Sequence, residues 1–350
     1  MKRLMLVGAI LLAGALALGW QTQPALAVEP QQDDLVARGE YLVYIAGCVG
    51  CHTPLLPDSF EIDTSRLFAG GVPFELGPLG VVFTKNLTAD VETGLGGWTD
   101  EEIKTAIKTG VSRDGLHLFP IMPYTTFMNM ADADVDAIVA YLRTVPAVNN
   151  AVPRTQILPP EALPQLPYLT GIVAPEPSDT AARGQYLLTS VIACTDCHTP
   201  VNPETGAPLF EQYLSGGQPF EGPWGIVYGG NITPHETTGI GSWTDDEIER
   251  VIREGVRPDN RVVVLMPTME FSHLTDDDVA AIIHYLRNDV QPVERLVPEA
   301  ALNEGFLIYA EPEATGGGPA SPVVLGVVIV ALLLIVGVGV AQSNKKKTAG

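Results

Sequence analysis

The 350-residue sequence predicts an all-α protein in which one unit occurs twice in tandem, with long loops rich in glycine and proline and one C-terminal transmembrane helix. Three observations support this fold class. Sequence matches recur at a nearly constant spacing, each copy carries helix-forming patterns at the same places, and an uncharged run of 19 residues lies near the C-terminus.

The internal repeat extends over most of the chain. ARGEYL at Ala37 matches ARGQYL at Ala182, and CHTP at Cys51 matches CHTP at Cys197. Further matched residues are Gly70 and Gly216, Asn86 and Asn231, Trp98 and Trp243, Gly110 and Gly255, and Tyr141 and Tyr285. The offset stays between 144 and 146, so the whole fold unit is duplicated rather than a short motif.

Two helix-forming patterns open each unit. The first leads into a pair of cysteines, over residues 33–47 and again over 180–193. The second begins at Thr99 and at Thr244 with a capping box, in which glutamate follows the threonine three residues later. We expect an amphipathic helix after each capping box.

A third helical pattern closes each unit. Apolar residues at positions i, i+3, i+4 and i+7 begin at Val135 and at Val279. Thr275 can cap the second copy, whereas Ala131 stands at the corresponding place in the first. The first copy must therefore take its N-terminal cap from another part of the chain.

The two ends of the chain resemble targeting segments. Residues 1–27 are predicted to be a signal peptide, because two basic residues precede an uncharged run and a small-residue cleavage motif. An uncleaved anchor is the alternative. Residues 323–341 are long enough to cross a bilayer, and the three lysines that follow place the tail, 342–350, in the cytoplasm. A buried core helix is the alternative there, although a spacer rich in glycine and proline isolates this segment.

The chain between these ends is expected on the periplasmic side, and it is strongly acidic. Its predicted parts are a first unit at 28–145, a linker with eight prolines at 146–177, a second unit at 178–310 and a spacer at 311–322. It holds all 41 acidic residues but 15 of the 20 basic ones, a net charge of −26. This charge excludes nucleic-acid binding, which needs a basic face. It suits the electrostatic steering of basic partners, and simple solubility explains it equally well.

Each unit carries two cysteines three residues apart, followed at once by histidine, which is the attachment motif of c-type haem. The motifs comprise Cys48, Cys51 and His52 in the first unit and Cys194, Cys197 and His198 in the second. They predict two covalently bound haems, each with its histidine as the proximal iron ligand. A zinc site made by the four cysteines, or two disulfides, would leave the histidines and the repeat unexplained.

Methionine is the residue that recurs as a candidate for the sixth iron ligand. Met122 in the first unit matches Met266 in the second, and both precede a proline. Ligation by histidine and methionine fills both axial positions and favours electron transfer over substrate binding. Met269 and His117 are alternatives within the same loops, and a further alternative is that the methionines only fill gaps in the core.

Two further pairs of residues recur near these motifs. Trp98 and Trp243 could donate to haem propionates, although buried tryptophans more often belong to the core. Arg38 and Arg183 could pair with the propionates or with surface carboxylates. These alternatives stay open at the level of sequence.

The succession of GGxPF, N-[LI]-T, TG, WTD, MP and YLR motifs resembles the cytochrome subunit of bacterial membrane-bound alcohol and gluconate dehydrogenases, over about residues 33–145 and 178–290. The resemblance implies two class I cytochrome c domains and haem c, with the methionines of the MP motifs, Met122 and Met266, as distal ligands. In that family the subunit takes electrons from a periplasmic dehydrogenase and passes them to quinone or another acceptor.

The sequence departs from the family pattern in three ways. It has two such domains where the family typically has three, and the predicted transmembrane helix stands in place of the third. The usual MPY motif becomes Met266-Pro267-Thr268 in the second unit. The first two departures bear on the dehydrogenase partnership and on quinone chemistry, and the third leaves the methionine intact.

The sequence thus predicts a membrane-anchored di-haem electron carrier that is not itself an enzyme. Its expected donor is an exported dehydrogenase or a respiratory complex subunit, and its expected acceptor is a downstream protein such as a small cytochrome or a copper protein. A di-haem peroxidase-like enzyme is the alternative, and it would need an open position on one iron. A gas or redox sensor ranks last, because the predicted cytoplasmic tail is too short for a signalling domain.

Overall fold

The computed structural model describes residues 32–57, 61–154, 157–222 and 224–303. The helices of the first unit are α1 (Gln32–Ile45), α2 (Cys48–His52), α3 (Asp100–Thr109), α4 (Tyr124–Phe127) and α5 (Asp132–Leu142). Those of the second unit are α6 (Thr180–Tyr186), α7 (Cys194–His198), α8 (Asp245–Glu254), α9 (Thr268–Phe271) and α10 (Asp276–Asn288). The two sets correspond one to one, as the repeat predicts.

Small antiparallel sheets accompany the helices. Strand β1 (Pro73–Glu75) pairs with β2 (Val81–Phe83) in the first unit. In the second unit the order is β3 (Pro219–Gly222), β4 (Gly225–Tyr228) and β5 (Ala301–Leu302). These strands have at most four residues, and only Phe74 and Phe220 are fully buried among them. Such short strands give too little alternation to be recognised in the sequence.

The prediction of an all-α fold with a transmembrane helix is therefore wrong. Sheets are present in both units, and no helix within the described ranges is long and apolar enough to cross a membrane. The predicted signal peptide at 1–27 and the predicted membrane segment at 323–341 both lie outside the described residues.

The first and last helices of each unit cross at a glycine. A Cβ atom added to Gly39 on α1 would lie 1.9 Å from the carbonyl oxygen of Ala137 on α5. A Cβ atom added to Gly184 on α6 would lie 2.0 Å from the carbonyl oxygen of Ala281 on α10. Since only glycine permits this approach of two backbones, the matched glycines fix the helix crossing that holds each cysteine motif in place.

The predicted helix caps are confirmed. Thr99 and Thr244 each form a complete capping box with the glutamate three residues later. The side chain of Thr275 accepts a hydrogen bond from the backbone N–H of Asp278. At the start of α5, where a capping side chain is missing, the N–H of Asp132 instead donates to the carbonyl of Ile172 at 3.0 Å. The linker therefore supplies the cap that Ala131 does not.

A π-helical turn distinguishes the second unit from the first. It covers Leu187–Val191, directly after α6, whereas α1 continues as a regular α-helix. The offset between the units is 145 at Ala37 and 146 at Cys48, so the second unit has one extra residue in this interval. A π turn absorbs one residue within a helix. The insertion is thus accommodated before the cysteines, and their geometry is retained.

The two units contact each other through a reciprocal pair of hydrogen bonds. Tyr186 in the second unit donates to Asp134 in the first at 2.7 Å. Its counterpart in the first unit, Tyr41, donates to Asp278 in the second at 2.5 Å. Each aspartate is also held by a bidentate arginine of its own unit, at 2.8 to 2.9 Å. One apolar cluster with residues from both units completes this interface.

Candidate haem-binding sites

The two attachment helices have the same form. Each is a five-residue helix that starts at the first cysteine and ends at the histidine. Each follows a residue in the left-handed conformation, Gly47 with φ of 75° and Ala193 with φ of 54°. This left-handed residue turns the chain sharply after the preceding helix. All four cysteines of the motifs are free thiols and half-buried, so the disulfide interpretation is not supported.

A backbone carbonyl orients the imidazole in both sites. The Nδ1 atom of His52 lies 2.7 Å from the carbonyl oxygen of Lys85, and that of His198 lies 2.7 Å from the carbonyl oxygen of Gly230. A carbonyl can only accept, so Nδ1 donates and Nε2 retains its lone pair. Burial lowers the pKa of His52 to about 4 and also lowers the pKa of His198. Both rings are therefore neutral near pH 7, with Nε2 available as a metal ligand.

A cavity of about 430 Å³ opens beside the first attachment helix. Cys48, Cys51 and His52 border one side, and Met122 borders it as well. The remaining wall is mostly apolar and includes Trp98, Ile103, Ile107, Phe127, Ile138 and Leu142. This volume lies within the range of ligand and cofactor sites. Two thiols, an oriented imidazole, a thioether and an apolar wall fit a covalently attached haem.

The cavity also reaches the second unit. The segment 265–271, which includes Met266 and Met269, lines it together with Ile192 and Ala193. Cys194, Cys197 and His198 are not among its lining residues. The structure thus brings His52 and Met122 to one cavity, whereas the pairing of Met266 with His198 stays a prediction.

The alternative ligands of the first site also border this cavity. His117 lies at its edge, with Nδ1 3.3 Å from the Nε2 atom of Gln165 in the linker. Met269 lines the cavity too, but 43% of it is exposed. Met122, by contrast, packs against the apolar core and is fixed by a turn in which its N–H donates to the carbonyl of Phe119.

The recurring arginines and tryptophans have separate roles. Arg38 and Arg183 form ion pairs with Asp134 and Asp278, and these carboxylates are buried rather than on the surface. Trp98 lines the cavity, and the guanidinium of Arg113 lies 5.3 Å from its ring centre. The second unit repeats this stacking with an arginine over Trp243, at 5.9 Å. The sequence pattern does not single out the stacked arginines, although each follows a matched Gly-Val pair closely.

Two buried carboxyl groups lie near the attachment helices, and both were missed. Asp196, between the cysteines of the second motif, accepts from the hydroxyl of Thr126 at 2.9 and 3.0 Å. Burial raises its pKa to about 6. Glu270 on α9 lines the first cavity, and burial raises its pKa to about 7. The signal in the sequence was the departure from the repeat, since Glu270 matches Thr126 in position but not in chemistry.

Comparisons with known families match each half of the chain separately. A model described as cytochrome c matches residues 36–146. A model described as cytochrome c oxidase, cbb3-type, subunit III matches residues 179–286. Each matched range contains one complete Cys-x-x-Cys-His motif.

Curated relatives point in the same direction. The gluconate 2-dehydrogenase cytochrome c subunit of Pantoea cypripedii is 32% identical over 78% of this chain and 64% of its own length. The fructose dehydrogenase cytochrome subunit of Gluconobacter japonicus is 31% identical over 80% of this chain and 57% of its own length. A diheme cytochrome c-type protein of Cereibacter sphaeroides is 29% identical over 79% of this chain and 94% of its own length.

The chain spans less than two thirds of the length of the dehydrogenase subunits that it matches. The matched region nevertheless contains both units with their cysteine motifs, and cytochrome c domains carry covalently bound haem. Two family models, the repeat and the geometry of the first cavity agree on the same assignment. The chain therefore contains two cytochrome c domains, one in each half.

Proposed function

We propose that the protein is a di-haem electron carrier. One haem c is attached through Cys48 and Cys51 with His52 as proximal ligand, and the other through Cys194 and Cys197 with His198. The observation that carries this proposal is the cavity bordered by both His52 and Met122, in which the Lys85 carbonyl leaves the Nε2 atom free for iron. The haem domains extend over 28–145 and 178–310.

The distal ligands are Met122 for the first haem and Met266 for the second. When bound, haem would supply an iron that changes its oxidation state by one electron, and ligation by an imidazole and a thioether would favour that exchange. The apolar walls exclude water from the iron, and the carbonyls of Lys85 and Gly230 hold the two imidazoles in one orientation. With both axial positions filled, the protein transfers electrons and performs no catalysis itself.

The electron donor is a dehydrogenase subunit. Two relatives are named as cytochrome subunits of gluconate and fructose dehydrogenases, and the match covers both haem domains of this chain. The acceptor is a further redox protein, such as a small cytochrome or a copper protein. The strongly acidic surface favours the approach of basic partners. The haem domains lie outside the cytoplasm.

The test is a mass spectrum and an optical spectrum of the full-length protein produced with haem-attachment machinery. We expect the mass of two haems and a weak far-red band from methionine bound to ferric iron. A variant with Cys48→Ala and Cys51→Ala should lose one haem and keep the other. A chain without added haem would refute the proposal, and absence of the methionine band in both haems would refute the distal ligands.

A further inference from the structure

The first haem cavity contains a buried acidic side chain that belongs to the second unit. Glu270 lies on α9 and lines the same cavity as Cys48, Cys51 and His52. It is only 5% exposed. Within the described part of the chain, its Oε2 atom has no hydrogen-bond partner. Buried carboxyl groups normally have such partners, so this one calls for an explanation.

Glu270 lies close to the attachment residue itself. Burial, and after it the charge of Glu270, raises the pKa of the Cys51 thiol to about 12. A haem attached through Cys51 is anchored at this residue. The carboxyl group therefore belongs to the immediate surroundings of the first haem, although α9 is part of the other unit.

The second site is built differently at the corresponding place. Its acidic residue, Asp196, lies on the attachment helix, and the first unit has Gly50 there. Thr126 of the first unit donates to Asp196, whereas Glu270 occupies the position that matches Thr126. The acid at the second site is thus hydrogen-bonded across the interface. The acid at the first site comes from across the interface, and its Oε2 atom has no hydrogen-bond partner in the described part of the chain.

Other charged residues at the cavity are less able to act on the haem. Lys85 donates to the carbonyl of Pro153, Arg113 donates to the carbonyl of Gly97, and Arg154 pairs with Asp114. Glu92 is exposed, and exposed charges are screened by water and salt. Glu270 differs from these residues because its carboxyl group is buried and its Oε2 atom has no hydrogen-bond partner among the described residues. Its charge acts through a medium of low dielectric constant.

We propose that Glu270 is a positioning residue that sets the reduction potential of the first haem from the second unit. The proposal rests on haem attachment at Cys48 and Cys51. The oxidised haem carries one positive charge more than the reduced haem, so a nearby carboxylate stabilises the oxidised form and lowers the potential. The two haems, although built on the same motif, thereby acquire different potentials.

The test is a potentiometric titration of the full-length haem-loaded protein at alkaline pH, where the carboxylate is ionised. Glu270→Gln removes the charge and keeps the shape, and Asp277→Asn removes a charge from the exposed surface of the same unit. A variant with Cys194→Ala and Cys197→Ala, which lacks the second haem, assigns the two waves. We expect Glu270→Gln to favour reduction of the first haem by about tenfold, which corresponds to 59 mV for one electron.

The reduction potential of the second haem should shift less than that of the first in Glu270→Gln. Asp277→Asn should leave both reduction potentials nearly unchanged. Glu270→Thr, which introduces the residue of the matching position in the first unit, should raise the first potential as well. An unchanged first potential, or equal shifts in both haems, would overturn the proposal. Loss of the first haem in both Glu270 variants would overturn it too, because the residue would then build the site. Wild-type protein without haem at Cys48 and Cys51 would instead refute the proposed function.

Discussion

Replacing Tyr186 by phenylalanine tests the contact between the two units. The buried hydroxyl donates to Asp134 at 2.7 Å and accepts from the N–H of Ala131 at 3.0 Å. A hydrogen bond to a charged group contributes about 1.5–3 kcal/mol, and an unpaired buried N–H costs about 1–3 kcal/mol. Because Arg38 still holds Asp134, we expect the total loss in unfolding free energy to be about 3 kcal/mol.

The matching variant Tyr41→Phe provides a graded comparison. Tyr41 is only half-buried, and the N–H that it accepts from, that of Thr275, lies 3.4 Å away. Its loss should be smaller, about 1–2 kcal/mol, since water can replace the missing partner. Tyr228→Phe is the control, because within the described residues the Tyr228 hydroxyl makes no hydrogen bond.

The assay is equilibrium unfolding of the haem-loaded protein in guanidinium chloride, followed by circular dichroism. A shift of the midpoint without a change in slope reports stability alone. The loss in unfolding free energy should be largest for Tyr186→Phe, smaller for Tyr41→Phe and smallest for the control. If Tyr186→Phe unfolds at the wild-type midpoint, or loses less than Tyr41→Phe, the reciprocal hydrogen bonds do not stabilise the interface.

Three further predictions concern single residues. Ala193→Gly should raise stability by about 1 kcal/mol and Gly47→Ala should lower it by a similar amount, because alanine is strained in the left-handed conformation; thermal melting of the pair checks this. Gly184→Ala should lower stability by about 3 kcal/mol or prevent folding, since its Cβ would overlap a carbonyl; the yield of folded protein and its melting temperature report the effect. Burial acts to raise the pKa of Asp278, but the hydrogen bonds from Arg183 and Tyr41 and the positive charges of the nearby arginines together outweigh it and hold that pKa below its ordinary value. The lowered pKa means that ionised Asp278 stabilises the folded state above about pH 4, and that this stabilisation is lost as the pH falls through the lowered pKa. Measured between these pH values, the unfolding free energy of Asp278→Asn should therefore decrease less steeply with falling pH than that of the wild type.

The sequence was sufficient for those features that local chemistry determines. Capping boxes, the apolar stripes of the helices and the cysteine motifs each depend on a few neighbouring residues, and all of these elements lie where they were expected. The repeat added a second, independent copy of each pattern. Because Ala131 cannot cap α5, the sequence also predicts that another segment supplies the cap. The carbonyl of Ile172 does so by accepting a hydrogen bond from the N–H of Asp132.

The features that were missed depend on residues far apart in the chain. The hairpin of β1 and β2 is held by Phe74 packing into a separate small cluster, which no pattern within three residues reveals. Glu270 resembles any surface glutamate in sequence, yet it is buried in the folded chain. The approach of segment 265–271 to the first cavity likewise follows from the arrangement of the two units.

The reciprocal bonds of Tyr41 and Tyr186 have the pattern of an isologous dimer, in which the same surface patch meets itself across a two-fold axis. A single ancestral unit with one tyrosine and one aspartate at these positions would therefore pair with its own copy. The presence of both copies in one chain makes this pairing permanent and independent of protein concentration. It also frees the halves from having identical residues at the axis, so that threonine in one half and glutamate in the other can give the two metal centres distinct surroundings.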